Sequence, residues 1–309
     1  MPAHAIDNPL FSMEPREFKL FRTLVHEQTG IFLRDSKQVM LAARLSRRLR
    51  ALGLKTFAQY YDYLQAKQGD SEEIVQLINC VTTNKTSFYR ERHHFDYLAK
   101  TVVSQMRAAS PPGAAKNFRV WSAACSTGEE PYTLAITLLE TLHPRILPAQ
   151  AASEPSRKML NGGGISYSGW KFEVVASDID TSVLATAKRG IYPEESLESV
   201  PPPLWKRYFL RGKDEMRGYV KVKPEVAQRV RFQRVNLNDA QWGLEGRFDA
   251  IFFRNALIYF NQETQNIFLR KMARYLQPRG YLFLGNAEHI PWLHELFEPL
   301  QQTMYRMRV

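Results

Sequence analysis

Cysteine is nearly absent from this chain, whose 309 residues include only Cys80 and Cys125. The two lie far apart and match no metal or disulfide spacing, which excludes a disulfide scaffold and a thiolate metal centre. That scarcity points to a reducing cytoplasm as the setting. Long apolar runs are missing as well; none approaches the roughly 20 residues that span a bilayer. Residues 1–15 show no basic start followed by an apolar stretch, so no secretory signal is expected there. The seven histidines form no ligand cluster, and no metal site is expected; His93-His94 reads as a helix start, packed or solvated. Acidic residues fall short too: 31 Asp and Glu face 42 Lys and Arg, a net charge of +11. Such an excess calls for an acidic partner, and charge alone does not choose among nucleic acid, an anionic membrane and an acidic protein.

What is present suffices for a sizeable core. Apolar residues make up 44% of the chain and aromatics 12%, outside the disordered and fibrous ranges. The length favours two units. Residues 14–98 read as helical throughout. Phe18, Phe21, Leu24 and Val25 recur at the spacing of one buried helix face, and Gly30 stops the helix. A second helix is expected over residues 36–52, ended by Gly53, with Val39, Leu41, Leu45, Leu49 and Leu52 on its core side. Its basic residues Arg44, Arg47, Arg48 and Arg50 stand elsewhere on it and are the expected docking face. They belong to the stretch 34–55, where seven basic residues face a single Asp35. Two more helices are expected near 56–66 and 71–80.

Residues 108–116 (AASPPGAAK) have the composition of a linker, placed over 99–117. From 118 to 309 the pattern turns to strand–helix alternation. Strand-length apolar runs occur at 118–123, 172–177, 230–235, 248–253 and 281–284, with helical patterns at 129–142, 181–189 and 262–276. This is the signature of a doubly wound, mostly parallel α/β sheet of Rossmann-like type. Two stretches interrupt it. Residues 144–170 read as a long loop. Residues 201–226, with paired short apolar runs around Gly212 and Gly218, read as an inserted antiparallel β hairpin.

The first strand runs from Val120 through Ala123 into Ala124-Cys125-Ser126-Thr127-Gly128 and opens a helix at Glu129-Glu130. Small residues at such a turn let a ligand approach the backbone. The dinucleotide fingerprint G-x-G-x-x-G is missing, and two acids at a helix start repel a pyrophosphate. A cationic or zwitterionic ligand fits better; a tight turn with acids favouring the helix N-terminus is the plainer alternative. The second strand ends at Ser177-Asp178-Ile179-Asp180, where Asp178 is placed to accept from ribose hydroxyls while Asp180 or Thr181 caps the next helix. The third and fourth strands end at Asn236-Leu237 and Arg254-Asn255, polar groups along the same edge. Residues 82–90 (TTNKTSFYR) look by composition like an interdomain turn with Phe88 and Tyr89 as packing.

Taken together, residues 82–90, 120–132, 176–192 (ASDIDTSVLATAKRGIY), 248–260 (FDAIFFRNALIYF) and 281–288 resemble the CheR methyltransferase family, in order and over nearly the whole chain. The resemblance implies an S-adenosylmethionine-dependent enzyme, leaving S-adenosylhomocysteine, that methylates glutamate carboxylates on the cytoplasmic coiled-coil methylation region of chemoreceptors. It implies cofactor contacts from Asn84, Thr86, Arg90, Ala123, Glu130, Asp178, Ile179, Asn236, Leu237, Arg254 and Asn255. Arg90 and Tyr259 match the positions that orient the accepting carboxylate. The inserted hairpin matches the part that docks a short receptor tail peptide. Two departures stand out: Phe253 where the family commonly has Cys, and Asn286-Ala287 where it commonly has His-Ser. Chemically, a glutamate with an ordinary pKa near ~4.3 is ionised at neutral pH and attacks a sulfonium methyl without a general base, so alignment and electrostatics are what the protein supplies. Two alternatives belong to other classes. A nucleic-acid amino-methyltransferase would carry an Asn/Asp-Pro-Pro-aromatic motif where Arg254-Asn255-Ala256-Leu257 stand. A regulator that binds without turnover would have no use for Arg90 and Tyr259. With no self-pairing element in view, a monomer is the expected state.

Overall fold

The computed structural model describes residues 11–66, 71–111, 114–142, 158–160, 164–166 and 169–308. Its first helix, α1 (Pro15–Thr29), begins on a proline preset for helical φ and ends on Gly30 at φ 75°, the left-handed conformation that closes a helix cheaply only with glycine. Helices α2 (Gln38–Leu52), α3 (Phe57–Ala66) and α4 (Ser71–Val81) follow, with Gly53 closing α2 in the same way. Phe21, Leu41, Leu45, Leu49, Phe57, Tyr60 and Leu77 are fully buried at the centre of this helical unit.

The periodic reading of α2 needs two corrections. Val39 is 78% exposed rather than in the core; two residues before Leu41, it lies about 200° round the helix from that buried side chain. Arg44 and Arg48 do not stand free with their neighbours. Arg44 reaches back to the carbonyls of Val81 and Thr82 and to the Thr83 hydroxyl at 2.9 Å. Arg48 forks onto Glu73, which also accepts from the Tyr60 hydroxyl at 2.8 Å. Of the four, Arg47 and Arg50 are exposed.

Residues 99–108, expected within a linker, are helical. α5 (His93–Tyr97) runs through a π-type turn, Leu98–Val103, into α6 (Ser104–Ala108). Leu98, Val102 and Val103 are buried against the sheet, so the AASPPGAAK composition marks only the end of this run.

The sheet holds β1 (Lys116–Ala123), β4 (Trp170–Asp178), β8 (Val230–Arg234), β9 (Phe248–Phe253), β10 (Leu276–Leu284), β11 (Phe297–Pro299) and β12 (Met304–Met307) in the order β11-β12-β10-β9-β1-β4-β8. The pairs β10-β9, β9-β1, β1-β4 and β4-β8 are parallel, while β12 returns antiparallel to β10 and β11. Helices α7 (Glu129–Leu142), α8 (Thr181–Arg189) and α11 (Gln262–Tyr275) are the crossovers. β1 pairs with β4 on one side and β9 on the other, so the strand order reverses at its carboxyl end, where doubly wound sheets bind ligands. Both faces are packed, one around Phe118, Val120 and Phe252, the other around Trp121, Ile251 and Leu282.

The insertion is larger than a hairpin. β5 (Ile191–Pro193), β6 (Phe209–Arg211) and β7 (Tyr219–Val222) form a three-stranded antiparallel sheet in the order β5-β7-β6, with α9 (Pro202–Tyr208) inside it and α10 (Pro224–Ala227) after it. β5 escapes a sequence reading because three residues after a helix-ending Gly190 carry too little alternation. The expected 144–170 loop falls largely outside the described residues; within it, β2 (Lys158–Leu160) pairs antiparallel with β3 (Gly164–Ser166).

Candidate active site

A cavity of about 510 Å³ opens at the carboxyl ends of β1, β4, β8 and β9. The turn after β1 forms one wall through Ala124, Cys125 and Ser126, with Ala124 at φ 58° and Ser126 at φ 50°. Ala123, expected here, is instead buried in the core beneath and does not line the cavity. The glycine that ends the turn also serves packing rather than ligand approach. A Cβ on Gly128, at φ 98°, would stand 2.8 Å from Ala187 Cβ and 2.9 Å from the Tyr192 hydroxyl.

Asp178 closes the end of β4. Its Oδ2 accepts from the Ser126 N–H at 2.8 Å and its Oδ1 from the Asp180 N–H at 3.0 Å, which ties the β1 and β4 turns together. Burial raises its pKa to about 6, so the carboxylate is ionised at neutral pH. Asp180 caps α8, accepting from the N–H groups of Ser182 and Val183. Its second oxygen accepts from the Thr82 hydroxyl at 2.7 Å and from Asn84 Nδ2 at 2.8 Å. That pair of bonds draws residues 82–90 onto the cavity. Thr82, Asn84, Lys85, Thr86, Ser87 and Arg90 all line it, where composition alone suggested a turn. Phe88 keeps the packing role, edge-on to Tyr192 and Phe209.

Behind this wall lies a buried charge cluster. Arg254, with 1% of its side chain exposed, places Nη1 2.8 Å from Glu130 Oε2 and Nη2 3.0 Å from Glu91 Oε2. It also donates to the Arg90 carbonyl and covers the Phe95 ring at 5.2 Å. Burial pushes the Glu130 carboxyl up, against the opposing pull of Arg254 and the Ser122 hydroxyl. For Glu91 burial also raises the pKa, but Arg254 and Asn255 together bring it below the ordinary value. Neighbouring His94, fully buried, is held neutral by burial and by Arg254, its pKa lowered to about 2.

Ile179 and Leu237 line the cavity, and so do Asn236, Asn255 and Tyr259. Asn236 also fastens two elements together, since its Nδ2 donates to the Gln28 carbonyl at 2.8 Å, beside Asn238 donating to Glu27 at 2.8 Å. Both bonds hold the end of α1 to the sheet. The helical unit thereby supplies a wall that sequence reasoning missed, comprising Ile31, Phe32, Arg34, Ser36, Lys37 and Met40. Ile31 pairs with Phe260 in an isolated antiparallel bridge, and the Phe32 N–H donates to the Tyr259 carbonyl at 2.8 Å. The basic stretch 34–55 held a signal for part of this wall, but nothing in it showed that the residues face the strand ends.

The charges that line the cavity divide by depth: Asp178 and Arg254 are buried and the Glu130 side chain is 12% exposed, whereas Arg34, Lys37 and Lys85 are exposed and Arg90 is half-buried.

Residues 16–82 match the family described as "CheR methyltransferase, all-alpha domain", and residues 84–163 and 158–306 match "CheR methyltransferase, SAM binding domain". This chain belongs to the CheR methyltransferase family. It is similar to chemotaxis protein methyltransferase 2 of Pseudomonas aeruginosa, 40% identical over 98% of this chain and 97% of that protein. The chemotaxis protein methyltransferases of Salmonella typhimurium and Escherichia coli are each 40% identical over 96% of this chain, covering 91% and 92% of theirs. S-Adenosylmethionine is accordingly the cofactor of this CheR chain, and the cavity suits it. An ionised Asp178 at the switch point fits a ligand with ribose hydroxyls and positive charge, and the acidic start of α7 keeps phosphates away.

Proposed function

We propose that this CheR chain esterifies glutamate side chains in the cytoplasmic coiled-coil methylation region of chemoreceptors, in the cytoplasm. The division of charge in the cavity carries the reading. A cationic cofactor fits the buried Asp178, and a carboxylate arriving from solvent meets the exposed Lys85, Arg34 and Lys37 and the half-buried Arg90. Bound S-adenosylmethionine supplies an electrophilic methyl group. The chain's own part is to hold the acceptor. Arg90 donates through Nη1 to the Lys85 carbonyl at 2.8 Å, which fixes the guanidinium on the rim, and it has no acidic partner among the described residues. Tyr259, half-buried and lining the same cavity, offers a hydroxyl to one carboxylate oxygen and leaves the other free to react. Asn84, Thr86, Asp178, Ile179, Asn236, Leu237 and Asn255 form the cofactor side. Glu130 and Arg254 act there as the buried pair that supports it. No proton need be removed from an acceptor already ionised at neutral pH.

The docking face is narrower than the sequence suggested. Arg44 and Arg48 are committed inside the helical unit, so Arg47 and Arg50 carry it, joined by the rim cations and by exposed Phe32, Val39 and Ile258. A mixed basic and apolar rim fits an acidic amphipathic helix. In the inserted sheet, β6 lies at an edge, the arrangement that accepts an added strand; this supports docking of an extended receptor tail there. Mapping the methylated residues of a receptor cytoplasmic fragment by mass spectrometry tests the reading. Glutamate esters that vanish with Arg90→Ala are expected; methyl groups on other residue types would overturn it.

A further inference from the structure

Near the cavity, the segment that carries Tyr259 is held through its carbonyls by Gln265, which donates to Leu257 at 2.9 Å and Phe260 at 3.0 Å, and through its N–H groups by a buried carboxylate to which neither the sequence motifs nor the proposed chemistry gives a role. Glu288 is 4% exposed. Its Oε2 accepts from the Gly285 N–H at 2.6 Å and the Asn255 N–H at 2.8 Å, and its Oε1 accepts from the Ile258 N–H at 3.4 Å. Three backbone donors from two separate loops therefore converge on one side chain, while its own N–H donates to the Gly285 carbonyl at 2.8 Å. The segment it holds is under conformational demand. Asn255 sits at φ 57°, a left-handed conformation that costs a non-glycine residue energy unless its surroundings hold it there. Residues 257–259 then form a single 3-10 turn. On the opposite side the Phe32 N–H bond to the Tyr259 carbonyl restrains the same segment.

We propose that Glu288 is a positioning residue for Tyr259: by gathering the Asn255 and Ile258 N–H groups it sets where the tyrosine hydroxyl meets the acceptor carboxylate. The role rests on the reading of Tyr259 given above. A second feature of the same junction agrees with it. A Cβ on Gly285 would meet Asn255 Nδ2 at 2.5 Å, the Asn255 nitrogen at 2.8 Å and Glu288 Oε2 at 2.8 Å, so the two loops have closed to a distance only glycine allows. Glutamine keeps the shape of Glu288 but turns an amide NH₂ toward one set of N–H donors, which removes one restraint and leaves the packing.

The test is a double-mutant cycle on methyl transfer to a receptor fragment, with Glu288→Gln, Tyr259→Phe and the pair, alongside S-adenosylhomocysteine binding to each. Glu288→Gln is expected to lower kcat about 10–100-fold, the scale of a misplaced orienting group. Because Glu288 also holds Asn255 on the cofactor side, S-adenosylhomocysteine binding is measured for each variant and kcat is compared at saturating cofactor, which separates a binding loss from the loss of positioning. In the Tyr259→Phe background the same change should cost less than about twofold, because the group it positions has lost its hydroxyl. Gly285→Ala, which pries the junction apart from the other loop, should reproduce the kcat loss and the same non-additivity, and it serves if Glu288→Gln does not fold. Equal losses in both backgrounds, or unchanged turnover, would overturn the proposal. Tyr259→Phe with undiminished kcat would instead sink the assignment of Tyr259, and with it the premise.

Discussion

Replacing Arg254 by methionine removes a cation and keeps an unbranched chain of similar reach, so it isolates the charge. In the wild type this guanidinium lies between two carboxylates, 2.8 Å from Glu130 and 3.0 Å from Glu91, with 1% of its side chain exposed. Removing one partner of a buried ion pair costs about 3–5 kcal/mol, most of it the penalty of leaving the other charge buried and uncompensated. That penalty depends on protonation. Burial already raises the Glu130 pKa against the pull of Arg254; without Arg254 it rises further above the unfolded value. A carboxyl raised in the folded state loses stability as pH increases through its titration. Glu91 is held below its ordinary value in the wild type with Arg254 as the chief lowering influence, so its stabilisation, present above the unfolded pKa, disappears in the variant. Both carboxylates act in the same direction. Urea unfolding of Arg254→Met beside wild type, followed by circular dichroism, should show about 3–5 kcal/mol of destabilisation at pH 8. At pH 5, where the carboxyls accept protons, the difference should shrink to roughly 1–2 kcal/mol, the cost of the lost hydrogen bonds. A difference below about 1 kcal/mol at pH 8, or one that does not change with pH, would refute the assignment of a buried, mutually dependent triad.

Asp178, with its pKa raised to about 6 by burial, should make S-adenosylhomocysteine binding weaken below pH 6, by up to about tenfold per pH unit, as titration calorimetry would show. The ligand-free protein should do the opposite: its folded-state pKa lies above the unfolded one, so this group favours folding as pH drops from 6 toward 4. Gly128→Val, which drives a side chain into Ala187 and Tyr192 at φ 98°, should lower stability by about 3 kcal/mol or more in thermal unfolding. Arg47→Glu with Arg50→Glu should weaken receptor-fragment binding about tenfold at low salt and much less at high salt. Arg48→Ala should instead lower the stability of the helical unit, because it strips Glu73 of its partner.

Helix bounds were legible wherever a glycine had to take a left-handed φ. Gly30, Gly53 and Gly190 end α1, α2 and α8 where the periodic pattern stops. The central parallel strands were legible because their buried parts read as short apolar runs, most fully in β9, where every residue is buried; β8, at the edge of the sheet, is half exposed and carries Arg231 and Arg234. Local signals did not extend to which side of a helix its neighbours cover. Val39 is apolar but lies two residues before Leu41, about 200° round the helix from it, and Arg44 and Arg48 satisfy groups on α4 and the segment after it rather than solvent. The same limit hid the supports of the site. Glu91 and Glu288 belong to no spacing rule; they matter because long-range topology brings Arg254 and Asn255 to them across gaps of 163 and 33 residues. Asp178 and Asp180 were separable in advance, since one helix start takes one cap. Their joint grip on Ser126, Thr82 and Asn84 required the folded chain.

Transfer of labelled methyl from S-adenosylmethionine to a purified chemoreceptor cytoplasmic fragment, wild type beside Arg90→Ala, bears most directly on the central claim. Label that appears on the receptor, is released as methanol by mild base and collapses in Arg90→Ala while cofactor binding persists is the predicted result. Base-stable label, or no label despite confirmed cofactor and receptor binding, would contradict it.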